Sequence, residues 1–409
     1  MSFERLNLDS RLVKALSDNG IEKPTDIQKK AIPLVLEKQN VLALAPTGTG
    51  KTFAYLVPAL HHLLNAKIEH NDPYIVILVP TRELAKQVYR FLKIFRKEVE
   101  ITVQIASTGV AEIKDKSDFI DVVIATPGNL TKLVESHEIS LDHTSIVIID
   151  EVDRMVDMHF FDEVTHLLSY FPHKNQRQTL LFGSTLPQKV EPLVRQMQRN
   201  TVLVDLGRST APPTIDHVIY EVTREERYDV LREILQTEQI DSVIIFTRSQ
   251  NSARITTKNL LRDGLDVEEI HGGLTQRQRS LALENFANGK VNALVATDIA
   301  ARGIDIAELS HVISFDVPRK FDDYLHRAGR TGRIDSKGKS IILASDAELE
   351  HLEGIKKRLG PKKVTTARRI YREQKTTRKP REDNRPWTSS KKRKPTKKFK
   401  PFKKREKRK

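Results

Sequence analysis

Two short segments of this chain carry the residue types that metal-assisted phosphate chemistry needs. The first is Ala45-Pro46-Thr47-Gly48-Thr49-Gly50-Lys51-Thr52, which follows an apolar run. Its glycines let backbone N–H groups face phosphate oxygens, and a helix opening near Lys51 adds positive potential. Lys51 is placed to meet β- and γ-phosphate oxygens, and the Thr52 hydroxyl to ligate Mg²⁺. Position 45 is Ala where the general pattern has Gly. The second segment, Asp150-Glu151-Val152-Asp153, closes the β-branched run at 145–149. Carboxylates there sit at the carboxyl end of a buried strand, where open α/β sheets bind ligands. Asp150 is the natural Mg²⁺ partner, and Glu151 the group that orients or deprotonates an attacking water. Each segment alone has a plainer reading, a chance Gly-rich turn or a solvated acidic strand end. Together they predict hydrolysis of a nucleoside triphosphate.

A third segment lies far downstream, His326-Arg327-Ala328-Gly329-Arg330-Thr331-Gly332-Arg333. Its arginines recur every third residue, which on a helix places them near one face. Three guanidinium groups there repel one another unless an anion lies between them. An arginine reaching a γ-phosphate raises turnover about 10³–10⁵-fold. The alternative is an exposed basic helix.

These residues need rigid elements to hold them. Apolar runs at 41–45, 74–79, 121–125, 145–149 and 179–182 read as strands, and 82–95 repeats apolar residues at helical spacing. Such alternation predicts βαβ units and a parallel sheet. Gly207, Pro212 and Pro213 mark 207–214 as a linker. The alternation then restarts, with strands expected at 242–246, 267–270, 293–296, 311–315 and 340–344 and helices at 224–235 and 250–261. The fold class is α/β, with domains at 1–206 and 215–360. Periodicity ends near Leu359, and 361–409 reads as a disordered basic tail.

Charge follows the same division. Residues 361–409 hold 23 Lys or Arg against 4 Asp or Glu, whereas 1–360 hold 46 against 50. The tail is an arm for a polyanion. Trp387, Phe399 and Phe402 within it leave two readings open. They stack on bases, worth about 1–3 kcal/mol each, or they are incidental to a solvated tail. Lys391–Lys394 also fits a nuclear-import signal if the source is eukaryotic. With no cysteine, disulfides and thiolate chemistry are excluded. No apolar run is long enough for a membrane span and the start lacks a secretory pattern, so a cytoplasmic location is expected.

With these motifs in order, the chain resembles the DEAD-box RNA helicases over about residues 1–350. The resemblance implies two tandem RecA-like domains, ATP and Mg²⁺ as cofactors, RNA as partner and a monomer. Phe3 and the segment 20–28, with Lys23 and Gln28, are similar to the family's adenine-reading motif. By resemblance Gln28 pairs with adenine and Phe3 stacks on it. Pro80, Arg82, Gly109, Thr126, Gly128, Arg279, Thr297 and Gly303 fall where the family holds RNA. Asp305 falls where it reaches the ATP ribose, His326 where it links the domains, and Arg330 and Arg333 where it reaches the γ-phosphate.

The chain departs from that pattern in four places. Val152 stands for Ala, Gly183-Ser184-Thr185 for Ser-Ala-Thr, Asn129 for Arg, and Thr108-Gly109 for Gly-Gly. The departures cluster in RNA grip and in coupling between RNA and ATP. The expected function is ATP-driven local unwinding of structured RNA, in ribosome assembly or RNA turnover, with ribosomal precursors or RNA-decay proteins as partners. The alternatives are an RNA clamp or annealing chaperone, and more remotely a DNA translocase.

Overall fold

The structure is a computed structural model that describes residues 2–46, 48–106, 119–196, 201–207, 215–301, 309–332, 338–360 and 364–367. The chain splits into two compact units, and the division after Ser209 falls inside the expected linker.

The first unit is built on strands β1 (Asn40–Leu44), β2 (Ile75–Leu78), β3 (Val103–Ala106), β4 (Val122–Ala125), β5 (Ile146–Ile149), β6 (Gln178–Gly183) and β7 (Thr201–Asp205). They lie in the order β3-β4-β2-β5-β6-β1-β7, with every pairing parallel. Successive residues of a strand point to opposite faces. Val41 and Ala43 accordingly enter one core with the helices Asp26–Leu36 and Lys51–Leu64. Leu42 and Leu44 enter the other, with Leu130, Val164 and Leu167. A sheet covered on both faces explains why the strands read as unbroken apolar runs.

The second unit repeats the plan with β8 (Ile215–Glu221), β9 (Val243–Thr247), β10 (Val267–Ile270), β11 (Ala293–Thr297), β12 (His311–Ser314), β13 (Gly338–Ala344) and β14 (Val364–Ala367). Their order is β10-β11-β9-β12-β13-β8-β14, again wholly parallel.

The interior strands match expectation to within a residue or two. The helix expected at 82–95 ends at Lys93, and Phe95–Lys97 tightens into a 3₁₀ turn. Four strands went unanticipated, β3, β7, β8 and β14. β7 is half exposed, so it lacks the apolar run of its neighbours. β14 corrects the expectation that structure ends at 360. Val364 pairs with His217 and Ala367 with Tyr220, because the open edge of β8 bonds backbone groups whatever side chains they carry. The rest of the expected tail, 361–363 and 368–409, lies outside the described residues.

Candidate active site

The strand order sets the geometry of the first unit. β6 lies between β5 and β1, so its end meets the acidic turn on one side and the phosphate loop on the other. β2 and β4 lie on the far side of β5.

The phosphate loop turns at Gly48 and Gly50, with φ of 84° and 89°, a region that favours glycine. A β-carbon at Gly50 would also run into the Gln28 amide. Gln28, only 2% exposed, donates from Nε2 to the Gly50 carbonyl (2.9 Å) and accepts the Thr25 N–H at Oε1 (2.9 Å). One N–H and one lone pair of the amide remain for adenine. Lys51 donates to the carbonyls of Ala45 (2.6 Å) and Gly183 (3.3 Å). Burial lowers its pKa, against the pull of Asp153, Asp150 and Glu151. Thr49 closes the loop by donating to Pro46 O (2.7 Å). Lys23 is exposed. Phe3 is 2% exposed and packs into the first core.

The acidic turn is closely held. Asp150 accepts the Glu151 N–H at Oδ1 (2.9 Å) and the Tyr55 hydroxyl at Oδ2 (2.8 Å). Tyr55 is fully buried, one turn along the helix from Lys51 and three residues after Thr52. It thus braces Asp150, one of the two residues expected to hold Mg²⁺, from the helix that carries the other. Burial first, then the charge of Glu151, pushes the Asp150 carboxyl up to about 6, against the pull of Lys51. A hydroxyl and a carboxylate are hard oxygen donors and fit Mg²⁺, which keeps most of its shell as water and phosphate oxygen. Among the described residues no cluster of three His, Cys, Asp or Glu offers a fuller cage.

Glu151 has φ 52° and ψ 48°. A non-glycine residue held there costs about 1–3 kcal/mol, a strain that gathers at active sites. Its carboxylate pairs with Arg154, which is 2% exposed. Asp153 faces β6. Its Oδ2 accepts the Ser184 N–H (3.0 Å), the Ser184 hydroxyl (2.5 Å) and the Thr185 N–H (3.1 Å). The displaced hydroxyl therefore still bonds the acidic turn.

The expected RNA contacts of this unit lie past β2 and β4. Pro80 is buried, and Thr81 caps the helix Arg82–Lys93 by accepting Leu84 N–H (3.3 Å). Thr126 precedes the helix Pro127–Glu135, which contains Gly128. Asn129 donates to the Thr126 hydroxyl (2.6 Å). Asn129 therefore turns inward, onto an RNA-contact candidate.

In the second unit, Thr297 ends β11 and is 9% exposed. Arg279 donates to the Gly272 carbonyl (3.1 Å). The expected three-arginine helical face does not form. The helix Phe321–Ala328 carries His326 and stops at Gly329, so Arg330 lies beyond it. Arg327, 3% exposed, grips Asp298 through Nε and Nη2 (2.7 Å each), donates to Asp316 O (2.7 Å) and covers the Phe246 ring. It ties the helix to the end of β11. Arg330 is 7% exposed. Arg227, Arg248, Asp316 and Glu348 form a second ion cluster that the sequence reading missed. Thr47, Gly109, Gly303, Asp305 and Arg333 lie outside the described residues.

A phosphate loop, an acidic turn and a hydroxyl-bearing strand end, side by side on a parallel sheet, define a RecA-like nucleotide hydrolase. The chain matches the DEAD/DEAH box helicase model over residues 25–193 and the helicase conserved C-terminal model over 226–335. It is 37% identical to the ATP-dependent RNA helicase SrmB of Escherichia coli, over 84% of this chain and 78% of that protein. It is 33% identical to the ATP-dependent RNA helicase CshA of Limosilactobacillus reuteri, over 91% and 76%. Among solved structures, Dbp5 of S. cerevisiae bound to RNA and ADP BeF3 superposes with a TM-score of 0.80 at 29% identity, over 90% of this chain and 95% of that one. The chain belongs to the DEAD-box family of ATP-hydrolysing RNA helicases.

Proposed function

We propose that this helicase grips structured RNA by its backbone and separates strands locally, in ribosome assembly or RNA turnover in the cytoplasm. The observation that carries this reading is the continuous linkage in the first unit. Lys51 bonds Gly183, and the next two residues, Ser184 and Thr185, bond Asp153. Phosphate loop, strand end and acidic turn are thereby one mechanical piece.

In this reading residues 1–206 bind ATP, 207–214 link, and the second unit supplies Arg330 and Arg333. Gln28 takes the adenine, Asp305 the ribose, and Lys51 the phosphates. Thr52 and Asp150 hold Mg²⁺, which neutralises phosphate charge when bound. Glu151 orients the attacking water, and its pairing with Arg154 fixes the carboxylate's direction. Pro80, Arg82, Thr126, Gly128, Arg279 and Thr297 hold backbone phosphates and sugars, which gives little sequence selectivity. The basic segment adds affinity: each contact it neutralises on a single strand steepens the salt dependence by about 0.7.

The test is ATP turnover with and without RNA, alongside strand separation of a short duplex. RNA-stimulated turnover with ATP-dependent separation is expected; turnover indifferent to RNA ends the reading. A second reading, an annealing clamp, is favoured by Asn129. Its amide is engaged with Thr126 and brings no guanidinium to the RNA. Net strand annealing under the same conditions would select it.

A further inference from the structure

Two of the departures described above touch each other. Gly183 ends β6, beside Val152 at the start of the helix Val152–Asp157. A β-carbon placed on Gly183 would lie 3.2 Å from Val152 Cγ1, 3.2 Å from the Thr185 carbonyl and 3.4 Å from Asp153 Oδ1. The first two separations are tighter than ordinary van der Waals contact. Val152 is 1% exposed and sits in the second core, so it has little room to retreat. One side holds a valine methyl, and the other has surrendered its side chain.

That exchange would strip a hydroxyl from the strand end if nothing replaced it. Ser184 does. Its N–H and hydroxyl both reach Asp153 Oδ2, and the Thr185 N–H joins them. Asp153 is 5% exposed. A carboxylate buried to that degree needs such donors to stay ionised without a large penalty.

We propose that Val152 and Gly183 are a compensating pair, and that Ser184 is the positioning residue that keeps the acidic turn seated on β6 in their presence. The three positions behave as one unit. A serine at 183 crowds Val152 Cγ1 and the Thr185 carbonyl together, and cutting Val152 back leaves only the carbonyl to shift by a few tenths of an ångström. Once Val152 is cut back, a hydroxyl at 183 can reach Asp153 Oδ1 and Ser184 becomes dispensable. The proposal rests on the reading that this contact couples RNA binding to turnover.

The test is Ser184→Ala in two backgrounds, the natural chain and Val152→Ala/Gly183→Ser. The readout is the ratio of RNA-stimulated to basal ATP turnover. In the natural chain the ratio falls about tenfold; in the altered background it falls less than about twofold, since contacting residues are non-additive. Equal losses in both backgrounds overturn the proposal. Thermal unfolding provides a measurement independent of RNA. Gly183→Ser alone lowers the melting temperature or prevents folding, and adding Val152→Ala restores it. A fully stable Gly183→Ser chain, or no restoration, overturns the pair. If the natural chain shows no RNA stimulation, the functional reading fails, and unfolding still decides the pair.

Discussion

The acidic turn after β5 and the arginine segment after β12 each crowd like charges into a few residues, and they relieve the crowding differently. In the turn, Asp150, Glu151 and Asp153 each face a different partner: Tyr55, Arg154 and Ser184. All stay in or beside the site. In the arginine segment the helix ends before the series is complete, and Arg327 is drawn inward to Asp298 while Arg330 lies past the helix end. A regular spacing of one residue type thus conceals two jobs. Partners separate them, and spacing does not.

Substitutions can break that contrast. Arg330→Ala should lower turnover most, by about 10³–10⁵-fold if its guanidinium serves the γ-phosphate. Glu151→Gln should cost about 10²–10⁴-fold in turnover with ATP binding retained, read by single-turnover kinetics and nucleotide titration. Arg327→Ala should act on stability. It strands Asp298 in a partly buried site, and breaking such a pair costs about 3–5 kcal/mol, seen in urea unfolding. If Arg327→Ala unfolds like the natural chain and only turnover suffers, the division of labour is wrong.

Smaller effects sharpen the acidic side. Tyr55→Phe removes the hydroxyl that donates to Asp150. Loss of such an outer partner weakens metal affinity about 10–100-fold, read as a higher Mg²⁺ requirement for turnover. Asp150→Asn should stabilise the nucleotide-free protein in a pH-dependent manner. The folded carboxyl titrates at about 6 against an ordinary 3.8, so the fold opposes its ionisation. That penalty is absent below about pH 4, grows as pH rises through 6, and is constant above. The gain should reach about 1–3 kcal/mol at pH 7.5 and vanish towards pH 4. A gain equal at both values would assign it to something other than ionisation.

Much of this arrangement was legible in the residues. Interior strands announced themselves because both faces are buried, and Lys51, Asp150 and Glu151 because phosphate chemistry restricts the residue types. Long-range partners were not legible. Asp153 meets Ser184 31 positions away, and Arg327 meets Asp298 29 away. No local pattern marks such pairs. Tyr55 gave one faint signal, a polar tip on an otherwise apolar helix one turn from Lys51. Val364–Ala367 was hidden because an edge strand draws its bonds from a neighbour's backbone.

That last strand fixes more than an edge. β14 runs parallel to β8, with Ala367 abreast of Tyr220 near the end of that strand. The chain therefore leaves the sheet at the rim that also bears Thr297 and the Asp316 loop. An antiparallel β14 would have ended at the opposite rim, a sheet's height away. Direction of pairing thus decides at which rim Ala367, the last described residue before the basic sequence, is held.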